Sequence, residues 1–237
     1  MNMKSLFVAM TAAGVLTGGL FGQSAKNAVQ VSNVTLLPYT GTNTAWTSLL
    51  TTNIQTSSQK DLIFGVSLQT GLFTKTTAKA RVGTESSTAM AKAGVDIRVC
   101  VSGLAASSGA ADCAGLAGYK MAEPGEVTYD KRFQELTVTL ENALAGCRDL
   151  NADGIIDIAT ECLGVEVSLL LETLGAHHFT FALDDVGQGT HNVKVQARIQ
   201  LDSSATGIAS GEAKAMVGKG AVTVEEVRLV KGVDITL

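Results

Sequence analysis

The sequence contains little proline, few aromatic residues and little charge. Two of the 237 residues are proline, and aromatic and charged residues make up 5% and 17% of the chain. So low a charge excludes a highly charged disordered protein. The 22 acidic residues outnumber the 18 basic ones, so no basic excess exists to neutralise the phosphates of a nucleic acid. The shortage of aromatic residues also argues against a surface that binds sugars or stacks bases.

Threonine, valine and glycine are abundant instead, in short alternating segments that predict strands. Branched side chains pack well on a pleated surface, and the alternation is clearest at residues 95–99 and 193–201. An all-β protein follows, with a single β-sandwich domain over residues 26–237 and jelly-roll-like connections. The predicted strands cover residues 29–37, 46–55, 61–74, 87–101, 126–128, 135–141, 178–183, 193–201, 213–218 and 221–230.

Some local features interrupt this pattern. Apolar residues four positions apart predict one short helix over residues 165–174. A turn is expected near residues 130–131, a closing hairpin through residues 218–220, and a bulge near residues 225–226. The single tryptophan, Trp46, is expected in the core.

The first 25 residues have the layout of a signal peptide. Lys4 precedes an apolar run over residues 6–22, and small residues follow. We expect cleavage after Ser24 or Ala25, which places the mature domain outside the cell or in the cell envelope. A retained anchor is the alternative, although the run is short for a membrane span and contains glycines. No other apolar run is as long, so we expect no membrane contact after cleavage.

Four cysteines lie downstream of this segment, and an even number in an exported chain predicts disulfides. Three connectivities are compatible with the sequence. We favour Cys100–Cys113 and Cys147–Cys162, because each bond then closes one local loop. Zinc is the alternative, but the chain has neither a CxxC motif nor a Cys-His cluster.

The stretch from Asp149 to Asp157 reads D-x-N-x-D-G-x-I-D and resembles the calcium loop of EF-hand and dockerin-type proteins. Oxygen-bearing side chains at alternate positions converge on one hard cation, and Gly154 allows the sharp turn between them. At the twelfth position the family has an acid, whereas this chain has Thr160. The alternative is an Asx-rich surface turn, in which the same side chains bond their own backbone. The resemblance implies calcium as a cofactor, an apolar anchor at Ile156, and the ligands Asp149, Asn151, Asp153, the main-chain carbonyl of Ile155, Asp157 and a shifted Glu161.

The histidines are the basis for a second hypothesis about function. His177 and His178 face opposite ways if they lie in a strand, and His191 begins the next predicted strand. Together with Asp184 or Asp185 they suggest a metal or acid–base site, which defines a ligand-binding module or a hydrolytic enzyme. The alternative is that they are strand histidines with satisfied hydrogen bonds. The sequence has no G-x-S-x-G, H-E-x-x-H or phosphate-binding loop.

Three segments carry a wider resemblance: TSSQKDL (residues 56–62), HNVKVQAR (191–198) and GKGAVTVEEVR (218–228). They resemble an uncharacterised group of exported bacterial β-sandwich proteins over most of residues 46–230. This resemblance implies an extracellular or envelope-exposed domain and brings no catalytic residue. The arrangement is also similar to C1q/TNF-like jelly rolls, at the level of the fold alone. We therefore expect a secreted, non-enzymatic, calcium-stabilised β-sandwich with a structural or adhesive role. Its partner is left open, a homo-oligomer or a surface assembly among the options.

Overall fold

The computed structural model describes residues 27–32, 45–80, 86–104, 109–139, 147–154, 156, 162 and 164–229. The predicted signal peptide lies outside these residues. Within them the chain forms strands and no helix. The strands are β1 (Asn27–Ser32), β2 (Thr47–Thr56), β3 (Lys60–Ala80), β4 (Ser86–Ser102), β5 (Tyr119–Met121), β6 (Val127–Thr139), β7 (Val165–Val186), β8 (Gly189–Thr206) and β9 (Ile208–Val227).

The strands form two antiparallel sheets packed face to face. Sheet A has the order β1-β9-β3-β7, and sheet B has the order β2-β8-β4. Strands β5 and β6 both pair with β4, on the side away from β8. Apart from the three-residue β5, odd-numbered strands lie in sheet A and even-numbered strands in sheet B. This order is that of an eight-stranded jelly roll, so the predicted β-sandwich and its connections are confirmed.

The predicted helix over residues 165–174 is wrong, because this segment is the first half of β7. Every residue from Val165 to Leu183 pairs in register with β3, for example Leu170 with Lys75. Leucines at three successive positions, 169–171, match a helical spacing and a strand equally well. The long neighbouring strand provides main-chain partners along the whole segment, and this decides the outcome.

The turns predicted near residues 130–131 and 218–220 are also absent. Both segments lie inside long strands, β6 and β9, and each coincides with a β-bulge. The β4–β6 register shifts between Val95 and Asp96, and the β3–β9 register shifts between Leu68 and Thr70. A bulge inserts one extra residue and breaks the alternation of side chains, which in sequence mimics a turn. The pairing around residues 225–226 is regular, so the bulge predicted there lies further back in β9.

The larger hydrophobic core lies between the two sheets, in the half of the sandwich where most of the bulky apolar side chains are found. Alternate residues of β4 face this core, and Val95, Ile97 and Val99 have no solvent exposure, as their period-two pattern predicts. Strand β8 contributes its own alternating stripe. The main contributions from the remaining strands are Leu50, Ile54, Leu62, Phe64, Val66, Leu68, Phe181, Leu183, Val222 and Val224.

The other half of the sandwich is filled mainly by alanine, threonine and one glutamine, with Val138 as a larger apolar side chain. Thr74 donates to Gln134 Oε1 (2.7 Å), and Gln134 Nε2 donates to Thr76 Oγ1 (2.6 Å), which links the two sheets through buried side chains. The backbones are close here, since a Cβ added at Gly211 of β9 would lie 2.2 Å from the carbonyl oxygen of Met90 in β4. Small side chains are therefore required at this end.

Candidate functional site

Both predicted disulfides are present, Cys100–Cys113 and Cys147–Cys162. Cys147 and Cys162 also form an isolated antiparallel bridge, so the bond closes the acidic segment between them at its base. Cys100 and Cys113 are buried and fasten the loop that precedes β5 to the outer face of sheet B. The expected pairing is confirmed at both loops.

The acidic loop folds through hydrogen bonds of its own side chains. Asp149 Oδ2 accepts from the Gly154 amide (2.8 Å), and Asn151 Oδ1 accepts from the Asp153 amide (3.0 Å). Asn151 Nδ2 in turn donates to Asp153 Oδ2 (3.0 Å). Ala152 and Gly154 have φ angles of 57° and 82°, the left-handed values that turn the chain back on itself. These contacts bring Asp149, Asn151 and Asp153 together at the surface.

Asp149, Asn151 and Asp153 carry oxygen atoms of the kind that a hard cation binds. An ionised carboxylate has about four acceptor positions, so one or two hydrogen bonds leave capacity for a cation. The same bonds are those of the Asx-rich turn that the sequence leaves as the alternative. Ile155, Asp157 and Glu161 lie outside the described residues, and the described ones contain no group of three or more metal-binding side chains. Ile156, in the position of an apolar anchor, is 48% exposed.

The three histidines lie in different environments. His191 in sheet B is buried, with its ring nitrogens 3.0 Å from the Ser102 carbonyl oxygen (Nδ1) and 2.9 Å from the Gly187 carbonyl oxygen (Nε2). His178 in sheet A is exposed, and its Nδ1 lies 2.9 Å from Ser67 Oγ. Adjacent His177 points to the other face of β7, because alternate side chains of a strand face opposite ways. The histidines are therefore not gathered in one cleft.

His177 does have an acidic neighbour, although it is neither of the two the sequence suggests. Its Nε2 lies 3.5 Å from Asp130 Oδ2, which also accepts a hydrogen bond from Thr70 Oγ1 (2.7 Å). Tyr129 packs edge-on against the imidazole and accepts a hydrogen bond from the Leu68 amide (2.8 Å). Burial raises the pKa of the Tyr129 phenol, the hydrogen bond from Leu68 opposes this effect, and the charge of Asp130 adds to it. These contacts of Tyr129 and Asp130 join β6 of sheet B to β7 and β3 of sheet A.

Trp46 lies on the outer face of sheet B, so the expectation that it belongs to the core is wrong. A register shift between Ser48 and Leu50 reverses the side-chain alternation at the start of β2. The tryptophan ring is instead flanked by two guanidinium groups. The central carbon of Arg98 lies 4.2 Å from the ring centroid, and that of Arg198 lies 4.5 Å away.

Arg98 is the largest fully buried side chain of the described residues. It donates to Gln196 Oε1 (2.9 Å), Glu126 Oε1 (3.3 Å) and the main-chain carbonyl of Ala114 (2.6 Å). Burial lowers the pKa of its guanidinium group, and the charge of Glu126 opposes this effect. Arg198 contacts the other oxygen of Glu126 (3.2 Å), so one carboxylate bridges both arginines.

This arginine–tryptophan cluster (Trp46, Asp96, Arg98, Glu126 and Arg198) connects β4, β8 and the loop closed by Cys100–Cys113. Arg198 lies 2.8 Å from Asp96 Oδ2, so each guanidinium group already faces a carboxylate. The contact with Ala114 ties the loop closed by Cys100–Cys113 to the sheet below it. The sequence contains a signal for it: Asp96 and Arg98 alternate with apolar residues on β4, and Arg198 lies in the alternating stretch of β8. Pairing Asp96 with Arg198 needs the strand register, which the sequence alone does not provide.

A surface cavity of about 360 Å³ lies at one end of sheet A. Its lining includes Lys60, Arg228, Asp61 and Asp185. Asp61 is buried, and its carboxylate accepts hydrogen bonds from the amides of Asp185 (3.0 Å) and Leu229 (2.6 Å). The carboxylate thus ties the end of β7 to the end of β9. Both charge signs line the cavity, and it defines no single ligand class.

Comparison of the sequence with protein families and with curated proteins finds no relative. No protein-family model matches the chain, and no curated protein resembles it significantly in sequence. None of the described segments is a helix long and apolar enough to cross a membrane.

Proposed function

We propose that the protein is a secreted or envelope-exposed β-sandwich with a structural or adhesive role and no enzymatic activity. The observation that carries this proposal is the separation of the histidines. His191 is bound by main-chain carbonyls inside sheet B, whereas His178 is exposed on sheet A. A site that used them together would need them in one cleft with a nearby carboxylate.

Export is part of the proposal, and the two disulfides support it. Disulfides persist in oxidising compartments and are rare in the cytosol. Both bonds close short loops, with sequence separations of 13 and 15 residues. Reduction would release the segment between Cys147 and Cys162 as well as the loop beside the arginine–tryptophan cluster, so the fold benefits from an oxidising environment.

Calcium is the proposed stabilising ion. Asp149, Asn151 and Asp153 would provide side-chain oxygens from the described part of the loop, with Asp157 and Glu161 as the remaining acids. A divalent cation would offset the repulsion between these carboxylates. Without an acid at the twelfth position, affinity is expected near the weak extracellular range, about 10⁻⁴–10⁻³ M. The proposal draws on the loop motif and on the capacity of the carboxylates for further ligation.

The location and the role are tested together in the host. Cell fractions are probed with an antibody after alkylation of free thiols, and a deletion strain is compared with the wild type for adhesion and for the composition of its surface assemblies. We expect disulfide-bonded protein beginning at Ala25 or Lys26 in the medium or envelope, and a surface defect that complementation repairs. Reduced protein in the cytoplasm contradicts the proposal. Hydrolytic activity that His177→Ala abolishes would favour the enzymatic alternative.

A further inference from the structure

Strand β7 has a long free edge. It pairs with β3 from Val165 to Leu183, and among the described residues only Glu123 forms main-chain hydrogen bonds with its other edge. Glu123 and Ala182 exchange both main-chain hydrogen bonds (2.8 and 2.9 Å). The outer edge of β7 is therefore capped at Ala182 and has no described strand partner from Val165 to Thr180.

The cap also fixes which main-chain groups point outward. Ala182 directs its N–H and C=O towards Glu123, and these groups alternate sides along a strand. The β3–β7 register is continuous from Leu62–Leu183 to Ala80–Val165, so the alternation holds throughout. The even-numbered residues 166–180 thus present their amides and carbonyls along the free edge, as a template for another strand.

This edge has exposed leucines between its two glutamates and carries no lysine or proline to protect it. Leu170 and Leu174 on its outer face are 54% and 64% exposed, and Leu171 on the inner face is 42% exposed. The edge of sheet B is different, because β6 places charges at residues 130–132. A long edge with exposed leucines is the kind that recruits a further strand.

We propose that β7 of one copy pairs antiparallel with β7 of a second copy, about a two-fold axis at Gly175. In this register Glu172 lies opposite His178 of the second copy, and the symmetry makes two such pairs. Leu174 lies opposite Ala176, and Leu171 opposite Phe179, so apolar side chains meet at the centre. Pairing spans residues 170–180 of both copies and ends before the Glu123 cap.

Charge selects this register and a copy of the same chain. Moving the axis to residue 172 places Glu172 opposite itself, and moving it to residue 169 places Glu166 opposite Glu172. Like charges directly opposite each other destabilise a strand pair, whereas a carboxylate opposite an imidazole accepts a hydrogen bond from it. His178 Nδ1 lies 2.9 Å from Ser67 Oγ and Nε2 lies 3.4 Å from Thr180 Oγ1, so the contact with Glu172 of the second copy replaces the longer contact with Thr180. The β7 edge thus contains both the acceptor, Glu172, and the donor, His178, that this pairing of two copies requires.

This inference deepens the proposed structural role by naming its partner, a second copy. The β7 edge and the acidic loop are separate features, so loss of calcium stabilisation leaves the dimer prediction standing. A monomeric protein would likewise leave export and calcium binding untouched.

The test measures self-association of the exported, disulfide-bonded protein by sedimentation equilibrium. We expect a dimer that Glu172→Lys and His178→Glu each weaken by about tenfold, because the first removes the carboxylate acceptor from both pairs and the second places a carboxylate opposite a carboxylate in both. The double variant Glu172→Lys/His178→Glu restores the pairs in reverse and is expected to return to within about threefold of the wild type. Leu174→Lys, which places a charge at the apolar centre, should weaken the dimer by about a hundredfold.

Val31→Lys in β1 is the matched control, because Val31 is as exposed as Leu174 (64%) and lies in the strand at the opposite edge of the same sheet. It should leave the dimer unchanged, and circular dichroism should show every variant folded. A monomer at all concentrations, or a dimer indifferent to Leu174→Lys, overturns the proposal. Failure of the double variant to restore association refutes this register, and disruption by Val31→Lys would indicate head-to-tail pairing of β7 with β1.

Discussion

Replacing Arg98 by methionine tests whether the arginine–tryptophan cluster stabilises the fold. The side chain is 1% exposed and makes three hydrogen bonds besides its contact with Trp46. Methionine keeps most of the aliphatic volume, so the change removes the charge and the donors and leaves no large cavity. The Ala114 carbonyl and the Gln196 side chain each lose a donor.

The size of the effect depends on opposing contributions. Hydrogen bonds to a charged group contribute about 1.5–3 kcal/mol each, and the contact with the indole ring about 0.5–2 kcal/mol. Removing the guanidinium also removes the cost of burying it, and breaking a buried pair costs about 3–5 kcal/mol only when the remaining charge has no partner. Here Glu126 keeps Arg198 at 3.2 Å. We therefore expect a loss of about 2–3 kcal/mol, equivalent to a fall in Tm of about 5–10 °C for a chain of this size.

Urea unfolding followed by tryptophan fluorescence is a suitable assay, because the single tryptophan is part of the cluster. Lys194→Met is the control: Lys194 lies over the Tyr119 ring (4.8 Å) on the same face of sheet B, and its loss should cost less than about 0.5 kcal/mol. If Arg98→Met is as stable as the wild type, the free energy that burial of the arginine costs equals the free energy that its contacts contribute. The stabilising role assigned to the cluster is then refuted.

Three further predictions concern the acidic loop, one disulfide and Tyr129. Millimolar calcium should raise Tm and a chelator should lower it, and the difference should correspond to about 2.7 kcal/mol when calcium is at a hundredfold excess over its Kd. Magnesium should have a smaller effect, and Asp153→Ala should abolish the difference between calcium and chelator. Identical melting with calcium and with chelator would identify the loop as an Asx turn. Replacing Cys100 and Cys113 by alanine should cost about 2–4 kcal/mol in urea unfolding, and an unchanged midpoint would contradict a stabilising bond. The raised pKa of Tyr129 means that its neutral form is favoured in the folded state, so its contribution is complete below about pH 10 and is lost as the pH rises further. Tyr129→Phe should therefore reduce stability by about 1–3 kcal/mol at neutral pH and flatten the alkaline decline, and an unchanged alkaline profile would exclude this role.

The parts of the fold that the sequence predicts are those that depend on local alternation. In β4 and β8, one residue in two faces the core, and the buried positions are those the pattern selects, such as Val95, Ile97 and Val193. The long strands β6 and β9 were divided in two, because a bulge shifts the alternation where the chain continues straight. The location of a bulge depends on the neighbouring strand, and no pattern within one segment contains that information.

Among the candidate sites too, the ones that the sequence predicts are those formed by residues close together in the chain. Each disulfide joins cysteines of one short loop, so proximity in sequence was enough to predict it. His177 and Asp130, or Trp46 and Arg98, come from segments far apart in the chain, and only the sheet order brings them together. The β7 edge shows the converse: its leucines are prominent in the sequence, but their exposure depends on β7 being the last strand of sheet A. In the middle of a sheet the main chain of such a run pairs on both sides, whereas at the edge one row of main-chain groups is left for a further strand. Topology thus decides whether these leucines stabilise one copy or join two.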